Sequence, residues 1–273
     1  MPTSLRGRAT KAAHDTSYRL RHLFGMLTVA SVLSGWPLLN TRAASGGDRS
    51  KARTSGERLH DHVPALAERV KTKGSRATLV RRHSIPQGDG ARRPLGLLAT
   101  EDTLRQTAGA RILAALYAQD VLASSSGSRK KIGARDAVRD RTRHRQCGPY
   151  GSVVEADLTG SCDQRDPAQW MDMGRERRDD RPVLGLIRPG LTAGVFDTDG
   201  QVLHPVTGLP QGGIVSPVLA PLSLHHALER WCAAVVQPHC AGQAALCCSA
   251  DDFVCAFQYR RDAERVSRVL GTR

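Results

Sequence analysis

Strand-like and helix-like runs succeed one another along the chain. Near its end, Ala244-Ala245-Leu246-Cys247-Cys248 and Phe253-Val254-Cys255-Ala256-Phe257 are short apolar runs on either side of Ala250-Asp251-Asp252. Runs of this length predict two strands joined as a hairpin, with the aspartates at its tip. Ser152 to Leu158 is a third strand-like run; it carries Asp157 at its carboxyl end and is broken by Thr159-Gly160. Helical spacing predicts a helix over Arg58 to Lys73, with Leu59, Val63, Leu66 and Val70 inward. A second is predicted over Glu101 to Leu122, with Leu104, Ala108, Ile112, Ala115 and Leu116 on one face. Thr78-Leu79-Val80 and His83-Ser84-Ile85 flank arginines as a strand would, and Gly88-Asp89-Gly90 makes a turn. Asp166 to Arg178, Val183 to Ala193, a hairpin around Asp199-Gly200 and a helix from Ile214 to Trp231 complete an α+β order without internal repeats. Glycine, serine and charge dominate Ser45 to Glu57, which reads as a linker.

A chain of 273 residues can bury a sizeable core. Its 40 basic and 26 acidic residues leave a net charge of +14, which predicts salt-sensitive attraction to a polyanion. Lys130 to Arg145 is very basic and nearly devoid of large apolar residues, either a solvated helix or a disordered stretch. Aromatic residues make up only 4% of the chain, a thin supply for core packing and base stacking. The seven cysteines form no Cys-x-x-Cys pair, so neither a disulfide framework nor a zinc ribbon follows. His239-Cys240 with Cys247-Cys248 can be drawn as a metal cluster, but reduced thiols filling strand and helix positions need no metal, and a reducing cytoplasm suits them. Leu23 to Leu39, interrupted by Gly25, Gly35 and Pro37, reads as an N-terminal helix and loop; a membrane-directed segment is the other reading.

Two adjacent carboxylates inside an apolar hairpin are costly to desolvate without a compensating cation. An Asp-Asp turn that is merely polar is the plain alternative. Asp157 tips the balance, because three carboxylates from two neighbouring strand ends can hold two hard cations of the kind that serve phosphoryl transfer.

Between the acid sites, Pro210-Gln211-Gly212-Gly213-Ile214-Val215-Ser216-Pro217-Val218-Leu219-Ala220 is a tight loop opening a helix. With it the chain resembles the reverse transcriptase/maturase family encoded by bacterial group II introns. Asp157 to Asp163 matches that family's D-I-K-G-F-F-D strand end. Pro210 to Ala220 matches its P-Q-G-G-x-x-S-P-x-L-A loop, and Ser249 to Asp252 its Y-A-D-D hairpin. Ile85 to Gly96 matches I-P-K-x-x-G-x-x-R-P-L-G, and Ser125 to Arg129 stands where the family ends a finger segment in S-Y-G-F-R.

The resemblance implies the fingers and palm of a right-hand polymerase: residues 1–57 as a helical extension and linker, 58–145 as fingers and 146–273 as palm. The chain ends in the helix after the acidic hairpin, ahead of the family's thumb. It further implies an RNA-directed DNA polymerase using two Mg2+ ions, with Asp157, Asp251 and Asp252 as catalytic metal ligands, assisted by the carbonyl of Leu158. Arg93 and Gln211 would position the nucleotide, and Cys162 would lie beneath its sugar. Intron RNA as template, a DNA primer and deoxynucleoside triphosphates are the implied partners, with no membrane involved. Departures from the family pattern also stand out. Gln87 replaces a lysine, while Ser126, Ser128, Ser161, Cys162 and Ser249 replace aromatic rings, which marks a truncated and partly degenerate copy. A non-catalytic intron-RNA-binding remnant is therefore the alternative to a polymerase.

Overall fold

The structure, a computed structural model, describes residues 7, 10–11, 14–15, 23–50, 52–57, 59–72, 77–88, 90, 92–120, 148–157, 166–176, 181–197, 199–203, 213–249 and 252–271. The basic stretch Lys130 to Arg145 lies outside them. Two compact units are interleaved in sequence: Met1–Leu116 with Cys162–Ser216, and Tyr117–Ser161 with Pro217–Arg273.

In the first unit the apolar run from Leu23 is cut into short pieces. They are a 3-10 turn Phe24–Met26, helix α1 (Val29–Leu33) and a 3-10 turn Trp36–Leu38. Thr28 caps α1, its hydroxyl accepting the Ser31 N–H at 3.2 Å. No helix among the described residues is long and apolar enough to cross a membrane. The linker expected over Ser45 to Glu57 contains a helix, α2 (Ala52–Glu57). Its glycine, which read as a breaker, is instead a packing device. A Cβ on Gly56 would sit 2.8 Å from Cζ2 of Trp36, so only glycine lets α2 approach that ring. Helix α3 (Leu59–Lys71) buries Val63, Leu66, Ala67 and Val70, the face its spacing predicts.

Strands β1 (Val80–Pro86) and β2 (Arg92–Leu97) form an antiparallel hairpin whose turn places Gly90 at a φ of 82°. Helix α4 (Thr100–Asp120) follows. Its burial goes beyond the single apolar stripe expected, for Asp102, Arg105, Gln106 and Thr107 are buried together with Leu104, Ile112 and Leu113. Helices α5 (Pro167–Glu176) and α6 (Arg181–Leu191) precede strands β4 (Val195–Phe196) and β5 (Val202–Leu203), paired around Gly200. β4 pairs in parallel with β1, giving a sheet ordered β2-β1-β4-β5. The stretch 162–216 thus joins the sheet built by β1 and β2.

The second unit is a three-stranded antiparallel sheet ordered β3-β7-β6, from β3 (Ser152–Asp157), β6 (Ala244–Ser249) and β7 (Asp252–Phe257). Helix α7 (Ser216–Leu224) runs on through two π-helical turns, His225–Glu229 and Cys232–Val236, and a last turn Gln237–His239. Helix α8 (Arg260–Leu270) follows β7. Leu224, Leu228, Cys232 and Val236 from the long helix, Phe253, Cys255 and Phe257 from β7, and Ala263 and Val266 from α8 share one core. Cys255 gives its thiol hydrogen to Cys232, which lowers the pKa of the acceptor and raises that of the donor. Both are free thiols filling core positions.

Candidate functional site

Strand alternation divides the three-stranded sheet into two faces. Ser152, Val154 and Ala156 of β3 stand opposite Phe257, Cys255 and Phe253 of β7, on the side that meets the helices. Val153, Glu155 and Asp157, all exposed, point to the other side, with Asp252. The register makes Asp157 and Asp252 direct partners across the β3–β7 ladder. Directly opposed residues in such a ladder lie with Cα atoms roughly 4.5–5.5 Å apart.

β6 and β7 form the predicted hairpin. Ser249 pairs with Asp252, so two residues, Ala250 and Asp251, connect the strands. Asp251 lies outside the described residues, as do Leu158, Cys162 and Gln211. Arg93 is exposed on β2 of the first unit, paired with Ile85. Of the residues singled out from the sequence, then, Asp157 and Asp252 are brought side by side.

A carboxylate that sequence reasoning passed over joins that face. Glu155 stands two positions before Asp157 on the same side of β3, and the alternation Val153, Glu155, Asp157 becomes its signal once the inner face of that strand is known. The loop entering β6 is fixed from below. Asp262, buried in α8, accepts the N–H groups of Ala241 at 2.9 Å and Gly242 at 3.2 Å, and Arg265 stands 3.8 Å away. Among the described residues, no group of three or more His, Cys, Asp or Glu side chains is placed to hold a metal ion.

Two carboxylates directly opposed on neighbouring strands repel each other. Their oxygens are hard donors of the type magnesium prefers, and because both side chains are exposed a cation reaches them without crossing the core. The donor set therefore fits a hard divalent ion better than it fits an empty sheet. Asp252→Asn is expected to stabilise the chain by about 0.2–1 kcal/mol in EDTA. A urea midpoint that falls on this substitution would show that the two carboxylates do not strain the sheet.

No family model matches the chain. Among curated proteins it is similar to Protein YkfC of Escherichia coli, 27% identical over 224 residues, covering 80% of this chain and 58% of that protein. It is 32% identical over 133 residues to the group II intron-encoded protein LtrA of Lactococcus lactis, covering 49% of this chain and 22% of that one. An uncharacterized 91 kDa protein in the cob intron of Schizosaccharomyces pombe is 28% identical over 166 residues, 60% of this chain and 20% of that protein. The chain thus spans between a fifth and three fifths of the length of these relatives. A solved partial Cas6-RT-Cas1–Cas2 complex shares the fold with a TM-score of 0.52 at 18% identity, over 92% of this chain and 40% of that one. Sheet and helices together define a mixed α+β protein with a fold like that of reverse transcriptases. Its relatives thus include proteins named as group II intron-encoded and as COX1/OXI3 or cob intron proteins.

Proposed function

We propose that the chain carries the catalytic sheet of an RNA-directed DNA polymerase that extends a DNA primer on an RNA template. The observation that supports this most is the opposition of Asp157 and Asp252 on the open face of β3 and β7. On this reading residues 146–273 supply the palm, 58–145 the fingers and 1–57 a helical extension. Asp157, Asp251 and Asp252, with the carbonyl of Leu158, would hold two Mg2+ ions, which supply charge stabilisation at the attacking and leaving oxygens when bound. The protein's own share is placement. Arg93 binds the triphosphate as a fixed cation, Gln211 orients the nucleotide, and the primer hydroxyl is held in line for attack.

Primer extension on a primed RNA template by the purified chain tests the reading. Product that requires magnesium and disappears in EDTA is expected. RNA binding with no extension in any divalent ion would favour the non-catalytic RNA-binding alternative. Cys162 adds a second measurable consequence, since a thiol beneath the sugar leaves room for a 2′-hydroxyl that an aromatic ring would exclude. Cys162→Phe is expected to raise the preference for deoxyribonucleotides over ribonucleotides by about tenfold or more, an effect of a steric clash of a few kcal/mol. Unchanged preference would remove position 162 from nucleotide selection.

A further inference from the structure

Helix α8 has one buried face, formed by Asp262, Ala263 and Val266, and it packs on β3 and β7. Its solvent face carries four guanidinium groups, from Arg260, Arg261, Arg265 and Arg268, and one carboxylate, from Glu264. Two are partly neutralised. Arg260 pairs with Glu264 at 2.8 Å, and Arg265 stands 3.8 Å from Asp262 while donating to the His239 carbonyl. Arg268 bonds the Glu264 carbonyl, a neutral group, at 3.3 Å, and among the described residues it makes no ion pair.

Immediately before the helix, Tyr259 is 44% exposed and the guanidinium of Arg261 lies over its ring, 5.5 Å from the centroid. The ring is held in place by close contact with backbone. A Cβ on Gly242 would lie 2.7 Å from Tyr259 Cδ2, so glycine there lets the loop pack against the ring. An exposed aromatic ring, packed against the Gly242 loop and with the mobile cation of an exposed arginine laid over it, offers both elements used for single-stranded nucleic acid, a stacking surface and cations for phosphates. This surface is not the carboxylate site. Asp252 begins β7 and Phe257 ends it, so Tyr259 lies beyond the far end of the strand, on the order of 17 Å from Asp252.

We propose that Tyr259, Arg261 and Arg268 bind single-stranded RNA, the arginines on its phosphates and the tyrosine under an unstacked base that takes the ring face from Arg261. The proposal takes from the preceding subsection only that RNA is the partner.

The test is fluorescence anisotropy of a labelled, unstructured RNA oligonucleotide with the full chain across a range of KCl concentrations. Arg261→Ala/Arg268→Ala is expected to weaken binding and to make the slope of log affinity against log salt shallower by about 1.4, because each phosphate contact on a single strand contributes about 0.7. Tyr259→Ala should weaken binding about tenfold and leave the slope unchanged, because stacking releases no counterions. Glu264→Gln frees Arg260 and should tighten binding, a gain that a damaged fold cannot mimic. Affinities within twofold of the parent in all three variants, or no RNA binding by the parent chain, would overturn the proposal. Primer extension separates the two readings. A chain that extends primers but binds RNA identically in every variant loses this surface alone, and one that binds as expected but never extends loses the polymerase alone.

Discussion

Asp157→Ala should reduce magnesium-dependent nucleotide incorporation by at least about 10³-fold while leaving the fold intact, because charge stabilisation at a reacting phosphate is worth several kcal/mol. Asp157 is exposed at the end of β3, so its removal opens no cavity. It also ends the repulsion with Asp252 across the ladder, so thermal stability in EDTA should be equal or slightly higher. Loss of activity together with unchanged or raised stability separates a metal-holding role from a structural one. Asp157→Asn should behave alike, since it keeps the shape and removes only the charge. Incorporation within about threefold of the parent by either variant would show that this carboxylate is not part of the reaction.

The arrangement behind that expectation was legible because period-two alternation and a two-residue connection leave little freedom. Once Phe253, Cys255 and Phe257 are assigned to the core, register forces Asp252 to the open face. The same logic applied to Val153-Glu155-Asp157 would have exposed Glu155, but a glutamate in an apolar run carries no signal until its strand's inner face is known. Helix α3 was legible from a clean apolar stripe. Helix α2 was not, because its composition is that of a linker and its reason to exist is the contact of Gly56 with Trp36, twenty positions earlier. The run of α7 into π-helical turns and on to His239 was equally hidden. Period 3.6 and the wider π spacing place Leu224, Leu228 and Cys232 inward alike over two turns. The polar residues inside α4 escaped notice because a stripe argument counts apolar positions and passes over an acid and a base three apart.

That acid and base support the second large expectation, a loss of about 3–5 kcal/mol of stability on Asp102→Ala. Asp102 and Arg105 are 7% and 2% exposed at their side chains and lie 2.6 Å apart. Burial pushes the Asp102 carboxyl up from its ordinary value and the Arg105 guanidinium down, so each charge is held at a cost that the partner offsets only in part. Asp102 has a second task. Its other oxygen accepts the Thr78 N–H at 2.8 Å, tying the segment that enters β1 to helix α4. Alanine would leave the guanidinium without this carboxylate and Thr78 without its acceptor. Asp102→Leu/Arg105→Met removes both charges, so it should recover the part of the loss that the broken pair causes; the unsatisfied Thr78 N–H would still cost about 1–3 kcal/mol. Urea denaturation of parent, single and double variants measures both steps. A pH series adds an independent reading. With its carboxyl raised, the folded chain holds a proton that the unfolded chain has already lost. Asp102 therefore makes stability fall as pH rises from its ordinary 3.8 through the raised value, and that dependence should vanish in the double variant. A double variant as unstable as Asp102→Ala would mean that the hydrogen bond to Thr78, and not the buried pair, accounts for the effect.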